Sequence, residues 1–120
     1  MSGKLNYVEI PAEDAERAQG FWSSLFGWEF NAYPGELPYV MAEIEGGQGV
    51  GLYRSDDRGL WAYFYVDDLD RHLQLVEELG GTVRDRGPVE GVGHYARCED
   101  TEGNKFGLFE PDESARREAG

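Results

Sequence analysis

At 120 residues, 40% of them hydrophobic and 13% aromatic, the chain has apolar material for one shared core and too little for two independent ones. Asp and Glu number 24 against 11 Lys and Arg, a net charge of −13 that repels nucleic acid and anionic lipid and excludes both as expected partners. No apolar run approaches a membrane span, MSGKLNYVEIP lacks a signal-peptide core, and the single cysteine, Cys98, rules out an intrachain disulfide, so a cytoplasmic protein is expected.

The first predicted strand is Lys4–Ile10, with Val8 and Ile10 on one face, Tyr7 and Glu9 on the other, and Pro11 as its end. Asp14 then caps a helix running to about Phe26, with Ala18, Phe21, Trp22 and Leu25 as its apolar stripe and Gly27 as its stop. A short strand at Trp28–Phe30 and a loop at Asn31–Leu37, holding Pro34-Gly35, follow. Tyr39–Ile44 and Val50–Arg54 read as strands joined through Gly46-Gly47, which suits a hairpin.

Ser55–Gly59 is short and polar and reads as a linker. Beyond it, Trp61–Val66 alternates: Ala62, Phe64 and Val66 face a helix, while Trp61, Tyr63 and Tyr65 face the other way. Asp67 or Asp68 caps that helix, Leu69, Leu73, Val76 and Leu79 form its stripe, and Gly80 or Gly81 ends it. Thr82–Arg84 is the next predicted strand and Gly87–Gly93 a glycine-rich loop. His94–Glu99 and Lys105–Glu110 make a last hairpin across Asp100–Asn104, and 112–120 is expected to be a frayed polar tail.

The two halves correspond. Sliding Tyr7–Trp28 forward by 54 residues puts Tyr7 on Trp61, Glu9 on Tyr63, Asp14 on Asp68, Arg17 on Arg71 and Gly27 on Gly81. After a two-residue slip, Gly51-Leu52-Tyr53 falls on Gly107-Leu108-Phe109. The expected organisation is a duplicated β-α-β-β-β unit in one domain over 1–111, with repeats at about 4–54 and 60–111.

Val8-Glu9-Ile10-Pro11, Phe21-Trp22 with Leu25-Phe26-Gly27-Trp28, Val66-Asp67-Asp68, Glu77–Gly81, and Gly103-Asn104-Lys105-Phe106 leading to Leu108-Phe109 resemble the vicinal-oxygen-chelate superfamily. That superfamily includes glyoxalase I, bleomycin-resistance proteins and extradiol dioxygenases. The resemblance implies an α+β fold in which two βαβββ repeats form a curved, mostly antiparallel sheet with helices on the outer face. It also implies a cavity between units and, in small members, a homodimer. The family's chemistry uses a divalent metal held by His or Glu on the first and last strands of each unit. Those positions fall here on Tyr7, Trp61, Gly51 (to within one residue) and Gly107, none of which supplies an imidazole, carboxylate or thiolate donor. No metal or other cofactor is therefore expected.

The residues expected to line a ligand cavity are Tyr7, Glu9, Tyr53, Trp61, Tyr63, His94 and Phe109. Aromatic faces stack flat or cationic molecules, and phenol tips offer hydrogen bonds. The same rings equally suit a self-filled cavity or a dimer seam. Glu9 either meets a ligand cation or acts as a base, or it pairs with an arginine or tyrosine and supports the fold. His72 sits on the flank of the second helix, and Cys98 reads as an inert strand cysteine.

Three functions stay open from the sequence: sequestration of a small organic molecule without metal, a metal-dependent lyase or dioxygenase using displaced ligands such as Glu9 and His94, and a non-catalytic dimerising module. Scattered acid with only two lysines, Lys4 and Lys105, fits either a high-salt cytoplasm or a mesophilic protein kept soluble by its charge.

Overall fold

The computed structural model describes residues 2–32, 39–44 and 46–115. The chain forms two compact units, Asn6–Trp61 and Met1–Leu5 with Ala62–Gly120, each built as β-α-β-β-β. The fold is α+β.

In the first unit the elements are β1 (Leu5–Ala12), α1 (Ala15–Phe26), β2 (Asn31–Ala32), β3 (Tyr39–Ile44) and β4 (Gln48–Arg54). Their sheet order is β2-β3-β4-β1, with β1 parallel to β4 and the other pairs antiparallel. Gly46 and Gly47 both have positive φ, as the tight β3–β4 connection demands. Ile10, Ala42, Val50 and Leu52 are buried on one face of this sheet, and α1 packs on β4.

The ends of α1 follow local chemistry. Asp14 Oδ1 accepts from the Arg17 backbone N–H at 2.9 Å, satisfying a donor the helix leaves open. Gly27, left-handed at φ 74°, sends its N–H to the Ser23 carbonyl at 2.7 Å. The expected stripe is not the buried one, however. Phe21 and Leu25 are 60% and 55% exposed, and Phe26 is 58% exposed. Ring pairing governs this end of the helix: Trp22 stacks on Trp28 with centroids 5.6 Å apart, and Phe26 lies 5.0 Å from Trp28. Phe30 meets Trp28 edge-on at 6.3 Å. Because Trp28 and Phe30 belong to this cluster, the strand expected at Trp28–Phe30 begins instead at Asn31. The expected Pro34-Gly35 turn lies outside the described residues.

Pro11 does not end β1 either. It pairs with Tyr53, and the Ser55 N–H donates to the Ala12 carbonyl at 3.0 Å, so the ladder loses one donor at the proline and continues.

The second unit contains β5 (Trp61–Tyr65), α2 (Leu69–Glu78), β6 (Thr82–Val89), β7 (Gly93–Glu99) and β8 (Lys105–Pro111), in sheet order β5-β8-β7-β6. Asp68 caps α2 through the Arg71 N–H at 3.1 Å, and the Glu110 carboxylate takes the Leu69 N–H at 2.7 Å. An acid at a helix N-terminus is favoured by the open N–H groups and the dipole together. Val66, Leu69, Leu73, Ala96, Cys98 and Leu108 form the buried cluster under α2, with Phe64, Val76, Val83 and Phe106 packed around it. Leu79, expected in the stripe, is exposed beyond the last turn.

The strand expected to stop at Arg84 runs to Val89, so most of the expected glycine loop is strand. Two devices allow this. The register shifts between Val83 and Asp85, and Pro88 lies on the sheet's outermost strand, where a missing N–H breaks no second ladder. The tail expected to fray is tied down as far as Ala115, whose side chain is buried and whose carbonyl accepts from the Gly91 N–H at 2.9 Å.

Asp112 anchors this strap. The Ser114 hydroxyl, His94 and the Ser114 N–H hold its carboxyl down at about 2. A group whose folded pKa lies below its unfolded value contributes stability above the unfolded pKa, near 3.9, and loses it as pH falls through the folded value. The strap is therefore expected to loosen between about pH 4 and pH 2. Protection of the Ser114 and Ala115 amides, taken relative to unstructured-peptide exchange at the same pH, should fall there in the intact protein and stay unchanged across that range in Asp112→Asn.

Candidate functional site

Strand alternation puts Tyr7 and Glu9 on the face of the first sheet opposite Ile10. Registered across β4 and β3, Gly49, Gly51 and Tyr53, then Tyr39 and Met41, share that face. Tyr39 and Tyr53 stand side by side with rings 6.2 Å apart and 19° from parallel.

A hydrogen-bonded chain runs through this face. Tyr39 Oη donates to Glu9 Oε2 at 2.8 Å, and the Tyr7 and Tyr39 hydroxyls are 2.7 Å apart. Glu9 is only 8% exposed, and its carboxylate is compensated by the phenol. Burial first, then the Glu9 charge and Tyr7, raise the Tyr39 phenol well above the ordinary tyrosine range, so it remains protonated. Gly51 makes the arrangement possible: a Cβ there would collide with the hydroxyls of both Tyr39 and Tyr7. Gly49 does the same for the Tyr7 ring, whose carbons lie 2.8 Å from where its Cβ would be.

The second unit repeats the plan with different polar groups. Tyr63 pairs with Gly107 as Glu9 pairs with Gly51, and a Cβ on Gly107 would run into the Tyr63 ring. Arg97, opposite Gly107 on β7, donates from Nε to the Tyr63 hydroxyl at 3.0 Å, and its guanidinium lies 5.9 Å from the centre of the Tyr95 ring. Phe109 meets Tyr65 edge-on at 6.2 Å on the same face. Trp61 is buried at the start of β5.

Of the residues expected from sequence, Tyr7, Glu9 and Tyr53 come together in the first unit, and Tyr63 and Phe109 in the second. His94 does not join them. It alternates with Arg97 and Tyr95 along β7, so it falls on the α2 side, with Nε2 2.9 Å from Asp112 Oδ2. His72 Nδ1 lies 2.8 Å from the Asp68 carbonyl on α2. Cys98 is fully buried, and burial, with Asp85 adding a little, pushes its thiol up to about 11, which leaves no nucleophile at neutral pH. Sequence reasoning missed Tyr39 and Arg97. Their signal was indirect: a glycine at 51 or 107 in mid-strand marks a place where a large side chain from a neighbouring strand needs room.

Among the described residues, no three or more His, Cys, Asp or Glu converge so as to hold a metal ion. No described helix is long and apolar enough to cross a membrane. A surface pocket of about 390 Å³ is lined by Glu13, Arg54, Ser55 and Asp56, and its walls include none of the candidate residues.

The profile of the glyoxalase-like domain matches residues 7–109. A glyoxylase-like domain-containing protein from Didymella fabae is 33% identical over 122 aligned residues, covering 90% of this chain and 94% of that protein. Among solved structures, homoprotocatechuate 2,3-dioxygenase from Brevibacterium fuscum superposes with a TM-score of 0.72 at 21% identity, over 97% of this chain and 38% of that one. A glyoxalase/bleomycin resistance protein/dioxygenase superfamily member from Vibrio splendidus 12B01 gives 0.67 at 16% identity, over 89% and 99%. At those identities the two structures show the shared fold, and the profile shows the family. This chain belongs to the glyoxalase-like domain family.

Proposed function

We propose that this chain binds a small organic molecule on the tyrosine-bearing faces of its sheets, without the divalent metal that the superfamily's chemistry uses. The observation that carries the reading is the pair of glycines at the last-strand ligand positions. Where a metal-binding member places a donor side chain, Gly51 leaves space that the hydroxyls of Tyr7 and Tyr39 occupy, and Gly107 leaves space that Tyr63 occupies. Neutral phenols, an indole and two glycines do not make a donor set for Zn²⁺, Ni²⁺, Mn²⁺ or Fe²⁺, and Glu9 alone is one ligand. What remains is aromatic area with a few fixed polar groups, the usual make-up of an organic-ligand site.

Metal titration tests this directly. Each of those ions, added to chelator-treated protein, is expected to leave the melting temperature within about 1 °C, whereas a site filled at a thousandfold excess over its Kd would contribute about 4 kcal/mol. A stoichiometric metal in the purified protein, lost in Glu9→Ala, would overturn the reading and favour a metalloenzyme with displaced ligands.

A second feature favours a dimer as the working form. Phe21, Leu25 and Phe26 are large apolar side chains left exposed on α1, in a stretch, Phe21–Phe30, that carries Glu29 as its one charge. In a chain of net charge −13, such a stretch is where two copies approach with least repulsion. Native mass spectrometry should give twice the 13.5 kDa chain mass, reduced to the single mass by Phe21→Glu with Leu25→Glu.

A further inference from the structure

The pocket of about 390 Å³ lies wholly within the first unit and has a volume ordinary for a small-molecule site. Strand geometry assembles its walls. β1 and β4 run parallel and end side by side, with Ala12 opposite Arg54. The Ser55 N–H closes that end by donating to the Ala12 carbonyl at 3.0 Å, and the Ser55 hydroxyl oxygen accepts from the Asp57 N–H at 3.0 Å. Glu13 follows β1 directly, and Asp56 follows the closing serine. Backbone hydrogen bonds thus hold Arg54, Ser55 and Asp56 against the chain that carries Glu13.

These side chains are not spent on one another. Among the described residues, the Glu13, Arg54 and Asp56 side chains make no hydrogen bond or ion pair, and Ser55 gives its hydroxyl proton to no acceptor. One guanidinium and two carboxylates around one space complement a molecule that carries both signs.

We propose that this pocket binds a small zwitterion, its carboxylate on the Arg54 guanidinium and the Ser55 hydroxyl, its ammonium on Glu13 and Asp56. A guanidinium can hold a carboxylate through two parallel N–H···O bonds, and the Ser55 proton adds a third donor. The chain's charge of −13 does not oppose a molecule with no net charge, whereas a lone carboxylate meets that repulsion and the two acids as well. A lone amine is drawn to acid anywhere on such a surface and gains nothing from Arg54. The site is separate from the tyrosine-bearing faces and stands whether or not those bind a ligand.

Glycine, γ-aminobutyrate and ε-aminocaproate serve as zwitterions of increasing reach, with butyrate and butylamine as single-charge counterparts. Because the walls are exposed or half-buried, the titrations belong at about 10 mM ionic strength, where charges act over roughly 30 Å. Heteronuclear NMR should show saturable shifts of the Ser55 and Asp57 amides with at least one zwitterion, at an affinity about tenfold above butyrate and butylamine. Arg54→Gln should reduce that zwitterion to the level of butylamine and leave butylamine itself unchanged. Glu13→Gln with Asp56→Asn should weaken the zwitterion about tenfold and strengthen butyrate severalfold, since the carboxylate's repulsion is removed. All three substitutions lie at exposed positions, so the variants should melt with the native chain. Absence of saturable shifts with all three zwitterions overturns the proposal, as does an affinity that butylamine equals or that Arg54→Gln leaves unchanged.

Discussion

Alanine at Gly107 is expected to destabilise the protein by about 1–3 kcal/mol, the range for forcing an extra carbon into a filled interior. The added Cβ would meet Cγ, Cδ2 and Cε2 of Tyr63, the inner part of a buried ring that cannot swing aside as a side-chain tip can. Gly51→Ala meets hydroxyl tips and should cost less, while separating Tyr7 from Tyr39. Gly20→Ala is the control. It lies inside α1 with nothing within 4 Å of the new carbon, and there the same change should stabilise the helix by about 0.5–1 kcal/mol. Thermal unfolding separates the three at roughly 4 °C per kcal/mol for a chain of this size. A Gly107→Ala protein as stable as Gly20→Ala would mean that Tyr63 does not fill the space above Gly107, and the metal argument would lose its second half.

Leu69→Ala should be the most damaging simple truncation, at about 2–5 kcal/mol. Leu69 is 1% exposed, sits in the cluster that fastens α2 to its sheet, and opens the helix whose first N–H is held by Glu110. A cavity at that point loosens both the apolar contact and the cap geometry. Leu79→Ala, on the same helix but 73% exposed, should stay within about 0.5 kcal/mol. Urea unfolding that ranks the two variants equal would show that α2 is not docked by its first turn.

Helix ends were the most legible part of this sequence, because a cap is a local contract between a few neighbouring atoms. Asp14, Gly27 and Asp68 perform as their residue types require. The duplication was legible for a different reason: the fold repeats a register, Glu9 with Gly51 and Tyr63 with Gly107, and the two-residue slip between halves is absorbed before the last strands. Strand ends were poorly legible. Pro11 reads as a break and Pro88 falls inside the expected glycine-rich loop, yet each costs one donor in a strand whose other partners continue. The α1 stripe misled because Phe21 and Leu25 share the helix's apolar periodicity with Trp22, and periodicity does not say which rings find partners. The candidate site was half visible. Its aromatic face followed from alternation, whereas the Tyr39–Glu9 bond spans 30 residues and depends on where β3 lands beside β4. His94 was assigned to the wrong side of its strand because the loop before it was drawn too long, which hid the phase of β7.

Each repeat joins its opening strand in parallel to its closing one: Val8 meets Val50, and Phe64 meets Leu108. The intervening helix and antiparallel hairpin can form from nearby residues as the chain is made, but in the first repeat the opening strand must wait for the last one, β4, before it has a ladder to join. Glu9 rides on that waiting strand, and Tyr63 likewise meets Gly107 only when the last strand of its own repeat arrives. Each polar face is consequently assembled in the final closing step of its unit, and during synthesis Glu9 keeps its full hydration until the segment around Gly51 has emerged. Translation slowed within β4 should therefore lengthen the interval in which β1 is an open edge, exposed to capture by another chain before its own partner arrives.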